Sequence, residues 1–405
     1  MSKIHFFIKY FRQKFTAAKK NKWVFTSFSG HYSDSPKYIS QKLHEIDSTA
    51  EIVWLVKKDL IGKLPHYVQQ IDIDSRDADK HRADAQVIID NVYADMARNV
   101  YGKRLSDKLK AFLFKLCCHK KGRLIFTTWH GTPLKKMGCD QIGNDINDFV
   151  CEDMTMLMGN QFTLDIMKHL TFNKIDMKLI GTPRNDILFS DNDKICELKK
   201  KLGLPYDKKI VLFAPTFRND GKDVENKNIY RSGLNQLNEI DFFKLFEVLK
   251  NRFGDEWVFV CRFHYHVEKM IDWNQLDNKY DGRIINGNIH DDMAEYLVCA
   301  DLLITDASSC MFDYALTTRP CFLFFPDVEH YANVERGFYL EIESLPFPLA
   351  VTFDELLDEI SRFDNKKYKY RIEHMISELG YADNPDSSQK IVEYILEQCK
   401  ELKIS

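Results

Sequence analysis

Residues Leu302–Phe325 read LLITDASSCMFDYALTTRPCFLFF. Leu302–Thr305 is a short apolar run of strand length, and Asp306-Ala307-Ser308-Ser309 breaks it with polar groups. Ser309–Leu316 has the starting serine and the length of a short helix. After Arg319-Pro320 a second apolar run, Cys321–Phe325, reads as the next strand. Neither strand alternates apolar with polar residues. Both faces must therefore be covered, as in a parallel sheet carrying helices on each side.

The same alternation extends in both directions. Further candidate strands are Trp23–Phe28, Ile52–Val56, Val87–Asp90, Leu124–Thr128, Met177–Ile180, Ile210–Phe213, Val258–Cys261 and Arg283–Ile285. Helical stretches separate them at Phe162–Leu170, Asp193–Leu202, Asp241–Phe253 and Asp291–Ala300. So many strands overfill one Rossmann sheet, and the 405-residue chain exceeds the roughly 250–300 residues at which single cores stop growing. The sequence predicts an α/β protein with two Rossmann-like domains, at 23–188 and 189–385. The boundary falls where GTPRND, residues 181–186, meets a polar stretch. A terminal helix is predicted over 386–405, started by Asp386-Ser387-Ser388 and carrying Ile391, Tyr394, Ile395, Cys399 and Leu402 on one face.

Composition excludes several classes. With 44% hydrophobic and 29% charged residues the chain is globular rather than disordered. No apolar run approaches the ~18–20 residues that span a bilayer. The net charge of −3 hides a basic tip: residues 1–22 carry Lys3, Lys9, Arg12, Lys14, Lys19, Lys20 and Lys22 and no acid. Ile4, Phe7, Ile8, Phe11 and Phe15 recur there at helical spacing, which predicts an amphipathic helix over 1–22. Phe7, Phe11 and Phe15 opposite Lys9 and Arg12 fit the headgroup region of an anionic membrane; the competing reading is a helix packed on the domain by the same stripe. A second basic segment, Lys103–Arg123, fits either a membrane face or an ordinary surface helix. The charge pattern points to an anionic partner at the tip, not to nucleic acid. Ten cysteines without a CxxC pair, and no signal-peptide pattern, predict reduced thiols in a cytosolic setting.

Four polar clusters follow candidate strands, where open α/β sheets bind ligands. Thr128-Trp129-His130-Gly131-Thr132 places a histidine on a strand-to-loop turn, suited to removing a proton from a hydroxyl or, alternatively, bonded to nearby backbone. Ala214-Pro215-Thr216-Phe217-Arg218 offers a guanidinium fork for phosphate, or a local salt bridge. Arg262-Phe263-His264-Tyr265-His266 alternates Arg262, His264 and His266 onto one face; two histidines without a third ligand of matching spacing make a poor zinc site. Thr305-Asp306-Ala307-Ser308-Ser309 is an anion cradle or a plain helix cap. No Walker loop and no full GxGxxG occurs, which argues against a P-loop ATPase and a dinucleotide oxidoreductase.

TTWHGTPLKKMG, GTPRND, VLFAPTFR, RFHYH, DLLITDASSCMFDYALTTRPCFLFF and ERGFY together resemble the CDP-glycerol glycerophosphotransferase family, from about Trp23 to Ile395. The resemblance implies a GT-B-like architecture, two Rossmann-like domains facing a cleft with membrane-binding helices on the first. It implies transfer of glycerol-phosphate or ribitol-phosphate from CDP-glycerol or CDP-ribitol to a polyprenyl-linked saccharide acceptor. CMP leaves, and the product is a teichoic acid or capsule-type polymer. It gives His130 as general base and His264 as the second functional histidine. Gly131, Thr132, Arg184, Thr216, Arg218, Arg262, Asp306, Ser308 and Ser309 are expected to bind substrate. The protein would work as a peripheral enzyme on the cytoplasmic face of the membrane. No resident metal or cofactor is implied, though a divalent cation is compatible with the chemistry. Ala307 stands where the family usually has an aromatic residue, which would reshape one wall of the donor pocket. The length, without the long N-terminal extension of some polymerases, leaves single transfer and polymerisation both open. A nucleotide-sugar glycosyltransferase of the same fold is the alternative, and it predicts release of a nucleoside diphosphate instead.

Overall fold

The computed structural model describes residues 15–92, 122–141, 154–171, 173–216, 232–263, 268–335 and 337–402. They divide into two units. The first holds the described residues up to His130, then 154–186, then those from Tyr381 onward; the second holds 131–141 and Ile187–Gly380.

The first unit is built on seven strands: β1 (Lys22–Phe25), β2 (Glu51–Val56), β3 (Gln69–Asp72), β4 (Val87–Asp90), β5 (Leu124–Thr127), β6 (Thr155–Met158) and β7 (Asp176–Leu179). Their order is β3-β2-β1-β4-β5-β6-β7, and every pairing is parallel. The second unit has six: β8 (Lys209–Ala214), β9 (Trp257–Cys261), β10 (Ile284–Asn286), β11 (Leu302–Thr305), β12 (Cys321–Phe324) and β13 (Leu349–Ala350). Their order is β10-β9-β8-β11-β12-β13, again all parallel. Strand order reverses between β1 and β4 in one sheet and between β8 and β11 in the other. Those are the switch points at which such sheets open a ligand crevice. Two doubly wound parallel sheets are thus present, as the unalternating apolar runs require.

β3, β6 and β13 were not expected from sequence. β3 reads QQID and is an edge strand with no fully buried residue, so it lacks the apolar signal. β13 has only two residues. β1 stops at Phe25 instead of running to Phe28.

In the first core the rings of Trp23, Phe25 and Trp54 stack in series, with centroids 6.3 and 5.6 Å apart. The indole N–H of Trp54 donates to Ser40 Oγ at 3.1 Å, which satisfies the one polar atom of a buried ring. The helix Ser387–Glu401 adds Ile391, Val392 and Ile395, each 0% exposed, to this same core. Burying three such side chains contributes roughly 1.5–3 kcal/mol apiece.

The GTPRND segment fastens that returning helix. Gly181 sits at φ +125°, and a Cβ there would meet Ser387 Oγ at 2.5 Å, so only glycine allows the approach. Asp383 accepts from the backbone N–H of Thr182 and the side-chain amide of Asn185. Asp186 accepts from the N–H groups of Ser387 at 3.1 Å and Ser388 at 2.8 Å, two donors the helix start would otherwise leave unpaired. Burial nevertheless outweighs these bonds and pushes the Asp186 carboxyl up to about 6. Its folded-state value lies above the unfolded one, so the fold is favoured while the group is protonated, and that advantage is lost as pH rises through about 6. Asp186→Asn, neutral at every pH, is therefore expected to melt close to wild type at pH 5 and progressively above it towards pH 8. Melting curves across that range check this; a gap that does not widen with pH contradicts it.

The basic tip is only partly a separate feature. Lys22 is the first residue of β1, 1% exposed, with its Nζ 2.7 Å from Asp84 and 3.1 Å from Glu51. Lys19 also pairs with Asp84, at 3.0 Å. These two cations are neutralised within the unit, which corrects the reading of 1–22 as one uniform membrane helix. A buried lysine must be paired, and the nearest acids are on the domain. Arg123 likewise donates to the carbonyls of Ala83 and Ala85. Phe15 is 66% exposed. Phe7, Lys9, Phe11 and Arg12 lie outside the described residues, as does 103–121 of the second basic segment. Among the described residues no helix is long and apolar enough to cross a membrane.

Candidate active site

In the first unit the chain leaves β1 through Thr26 and Ser27 and turns back at once, pairing Ser27 with His31. Three successive residues make the reversal with positive φ: Phe28 (41°), Ser29 (61°) and Gly30 (112°). At Gly30 a Cβ would lie 2.8 Å from the Lys57 nitrogen, so the turn can close only on glycine. Asn91, directly after β4, is fully buried and accepts the Phe28 N–H on its side-chain oxygen at 2.9 Å.

His130 arrives from β5. Trp129, at φ 53°, turns the chain out of the strand and stays buried, leaving His130 half-buried at the rim. The His130 Nδ1 lies 3.0 Å from the Asn91 carbonyl oxygen. A carbonyl can only accept, so the proton of the neutral imidazole sits on Nδ1 and Nε2 is the basic nitrogen. The Phe28 ring meets the imidazole edge-on, with centroids 5.9 Å apart and planes at 67°; the Trp129 ring lies 4.2 Å away on a tilted plane. The arrangement can orient one histidine nitrogen for proton abstraction. Gly131 continues at φ 147° and Thr132 is 4% exposed. Arg184 places its guanidinium 3.0 Å from Asp34 in an ion pair whose side chains are 8% and 7% exposed.

In the second unit the switch point joins the exits of β8 and β11. The Thr216 N–H donates to Asp306 Oδ1 at 2.7 Å, and the Gln236 amide reaches the other carboxylate oxygen at 3.4 Å. Thr305 Oγ1 donates to the Ala214 carbonyl at 2.6 Å. Asp306 is 0% exposed, so it stitches the crevice floor together. Ser308 and Ser309 are half-buried at the start of the helix Cys310–Tyr314, and Ser309 makes no side-chain capping bond. That helix is one turn and a half, so its backbone offers a weaker anion site than the sequence suggested. Ala307 is 0% exposed.

Arg262, after β9, donates to the carbonyls of Gly287 at 2.7 Å and His290 at 2.6 Å and also to that of Asp291, with its guanidinium 5.0 Å from the Tyr296 ring centroid. It tethers the 287–291 loop beside the β9 exit. Arg218 and His264 lie outside the described residues. Sequence reading overlooked Phe28 and Asn91. Their signal is position: they follow β1 and β4, the pair at which strand order reverses, and that order is invisible in the chain.

A sequence model described as CDP-Glycerol:Poly(glycerophosphate) glycerophosphotransferase matches residues 6–397. The chain is 27% identical to the teichoic acid poly(glycerol phosphate) polymerase of Staphylococcus epidermidis over 93% of its own length and 51% of that protein. It therefore spans about half of that relative. It is 29% identical to the teichoic acid glycerol-phosphate transferase of Staphylococcus aureus, covering 87% of this chain and 86% of that one. Among solved structures, a variant of the wall teichoic acid polymerase TagF superposes with a TM-score of 0.76 at 25% identity over 100% of each chain. A TagF variant soaked with CDPG for 30 minutes matches at 0.74, 25% identical over 99% of each. Carried by this match over nearly all of its length, the chain belongs to the CDP-glycerol:poly(glycerophosphate) glycerophosphotransferase family.

Proposed function

We propose that this protein transfers an alditol-phosphate from a CDP-alditol to a hydroxyl of a polyprenyl-linked saccharide, releasing CMP, in teichoic acid or capsule-type polymer synthesis. The observation that carries the reading is the family match over residues 6–397. The strand-end placement of His130, Thr216, Asp306, Ser308 and Ser309 supports it.

The acceptor oxygen attacks the phosphorus that bears the alditol, the bridging P–O bond breaks, and CMP departs with the electron pair. His130 Nε2 takes the acceptor proton. The groups at the exits of β8 and β11, with Arg218 and His264, hold the donor phosphates and meet the developing charge. The reaction so described invokes no resident cofactor. Basic residues near the N-terminus would draw the enzyme to anionic lipid on the cytoplasmic face, where the acceptor resides.

Glycerol is the preferred alditol, since the relatives matched over most of this chain are glycerol-phosphate enzymes, whereas a ribitol-phosphate polymerase matches over 53% of it. The test measures CMP released from CDP-glycerol and CDP-ribitol, with the acceptor presented in anionic vesicles. Acceptor-dependent CMP from CDP-glycerol is expected. A folded protein that releases none from either donor overturns the reading.

A further inference from the structure

We infer that Phe28 and Asn91 are positioning residues that hold His130 in its reactive tautomer, an inference that rests on the general-base reading above. Three observations converge. The Asn91 carbonyl oxygen lies 3.0 Å from His130 Nδ1, which fixes the proton there. The Asn91 side-chain oxygen accepts the Phe28 N–H at 2.9 Å, so the residue that orients the imidazole also grips the turn after β1. The Phe28 ring then closes edge-on against the imidazole at 5.9 Å.

Folding alone does not explain either residue. Phe28 is 41% exposed, so its ring adds little to the core, yet it occupies φ 41°, where a bulky side chain is strained and glycine is at ease. Asn91 is 0% exposed and its amide nitrogen finds no hydrogen-bond partner among the described residues, a cost an apolar residue would avoid. Strain and an orphaned donor concentrated beside one histidine are the mark of a position kept for what it does to that histidine.

The test compares Phe28→Gly, Phe28→Ala, Phe28→Tyr and Asn91→Ala in the full chain. Phe28→Gly and Phe28→Ala are expected to lower kcat for CMP release by about 10–100-fold with donor and acceptor KM within about twofold of wild type. Glycine relieves the backbone and alanine does not, so Phe28→Gly melts above Phe28→Ala while being no more active. Phe28→Tyr restores kcat. Asn91→Ala loses kcat in the same way. Asn91→Ala keeps the main-chain acceptor of His130 but loses the side-chain grip on the Phe28 N–H that holds that acceptor in place. The imidazole ¹⁵N shifts of His130 are therefore expected to report an Nδ1-protonated ring in wild type and mixed tautomers in Asn91→Ala and Phe28→Gly.

A kcat within about twofold of wild type in Phe28→Gly, or a rise in KM alone, overturns the inference; the latter would make Phe28 a substrate contact. Unchanged ¹⁵N shifts in both variants overturn it as well, even if activity falls. Failure of the general-base reading is distinguishable, because there His130→Ala itself keeps its activity whatever Phe28 does.

Discussion

His130→Ala is expected to lower CMP release by roughly 10³-fold, the middle of the range for loss of a positioned general base. The loss should fall on kcat. An alcohol must shed its proton as it attacks phosphorus, and water is a poor and badly placed substitute for a fixed nitrogen. Donor KM should stay within a few-fold, because the phosphates are assigned to groups at the β8 and β11 exits. The fold should survive. His130 is half-buried on a rim, and its Nδ1 partner is a main-chain carbonyl that stays in place when the ring is removed. Steady-state kinetics with a melting curve beside them check this. A stable variant retaining more than about a fifth of wild-type kcat removes the histidine from the chemistry.

How much of this could be read from the chain depends on the kind of interaction involved. Most strands buried on both faces announce themselves as short unbroken apolar runs, and Val87–Asp90 and Leu302–Thr305 match their expected bounds. Buried β6 is the exception, because TMLM is only four residues long and its Met and Leu suit a helix equally well. Edge strands do not announce themselves, and QQID of β3 carries nothing that separates it from a loop. The strand-end position of His130 was legible, because a histidine directly before a glycine marks the turn out of a strand. Asn91 and Phe28 were not, since their importance comes from β1 and β4 lying side by side across about sixty residues of sequence. Asp306 was legible as a strand-end carboxylate but not as a stitch, because its partner Thr216 is ninety positions away. Long-range pairing of polar groups leaves no periodic trace. Burial does.

The GTPRND segment shows the same limit and carries the largest expected effect on stability. An arginine after a strand in a phosphate-handling family invites assignment to substrate, yet Arg184 lies 3.0 Å from Asp34 with both side chains less than a tenth exposed. Asp34 opens the helix Asp34–Ile46 at φ 61° and also bonds the Ser35 N–H, so its carboxylate is committed to that turn. Arg184→Ala leaves that charge buried beside a void, and breaking such a pair from one side costs about 3–5 kcal/mol. At roughly 2–4 °C per kcal/mol for a unit of this size, the melting temperature should drop by about 10 °C. Lysine should recover little, because it loses the planar fork that fits the site. The double variant Asp34→Asn, Arg184→Met should regain most of the loss, since it removes both charges together and keeps the volume filled. A substrate contact behaves in the opposite way: Arg184→Ala would keep its melting temperature, raise donor KM, and gain nothing from the change at Asp34. The double variant therefore decides between the two roles, because only an internal ion pair makes the second substitution repair the first.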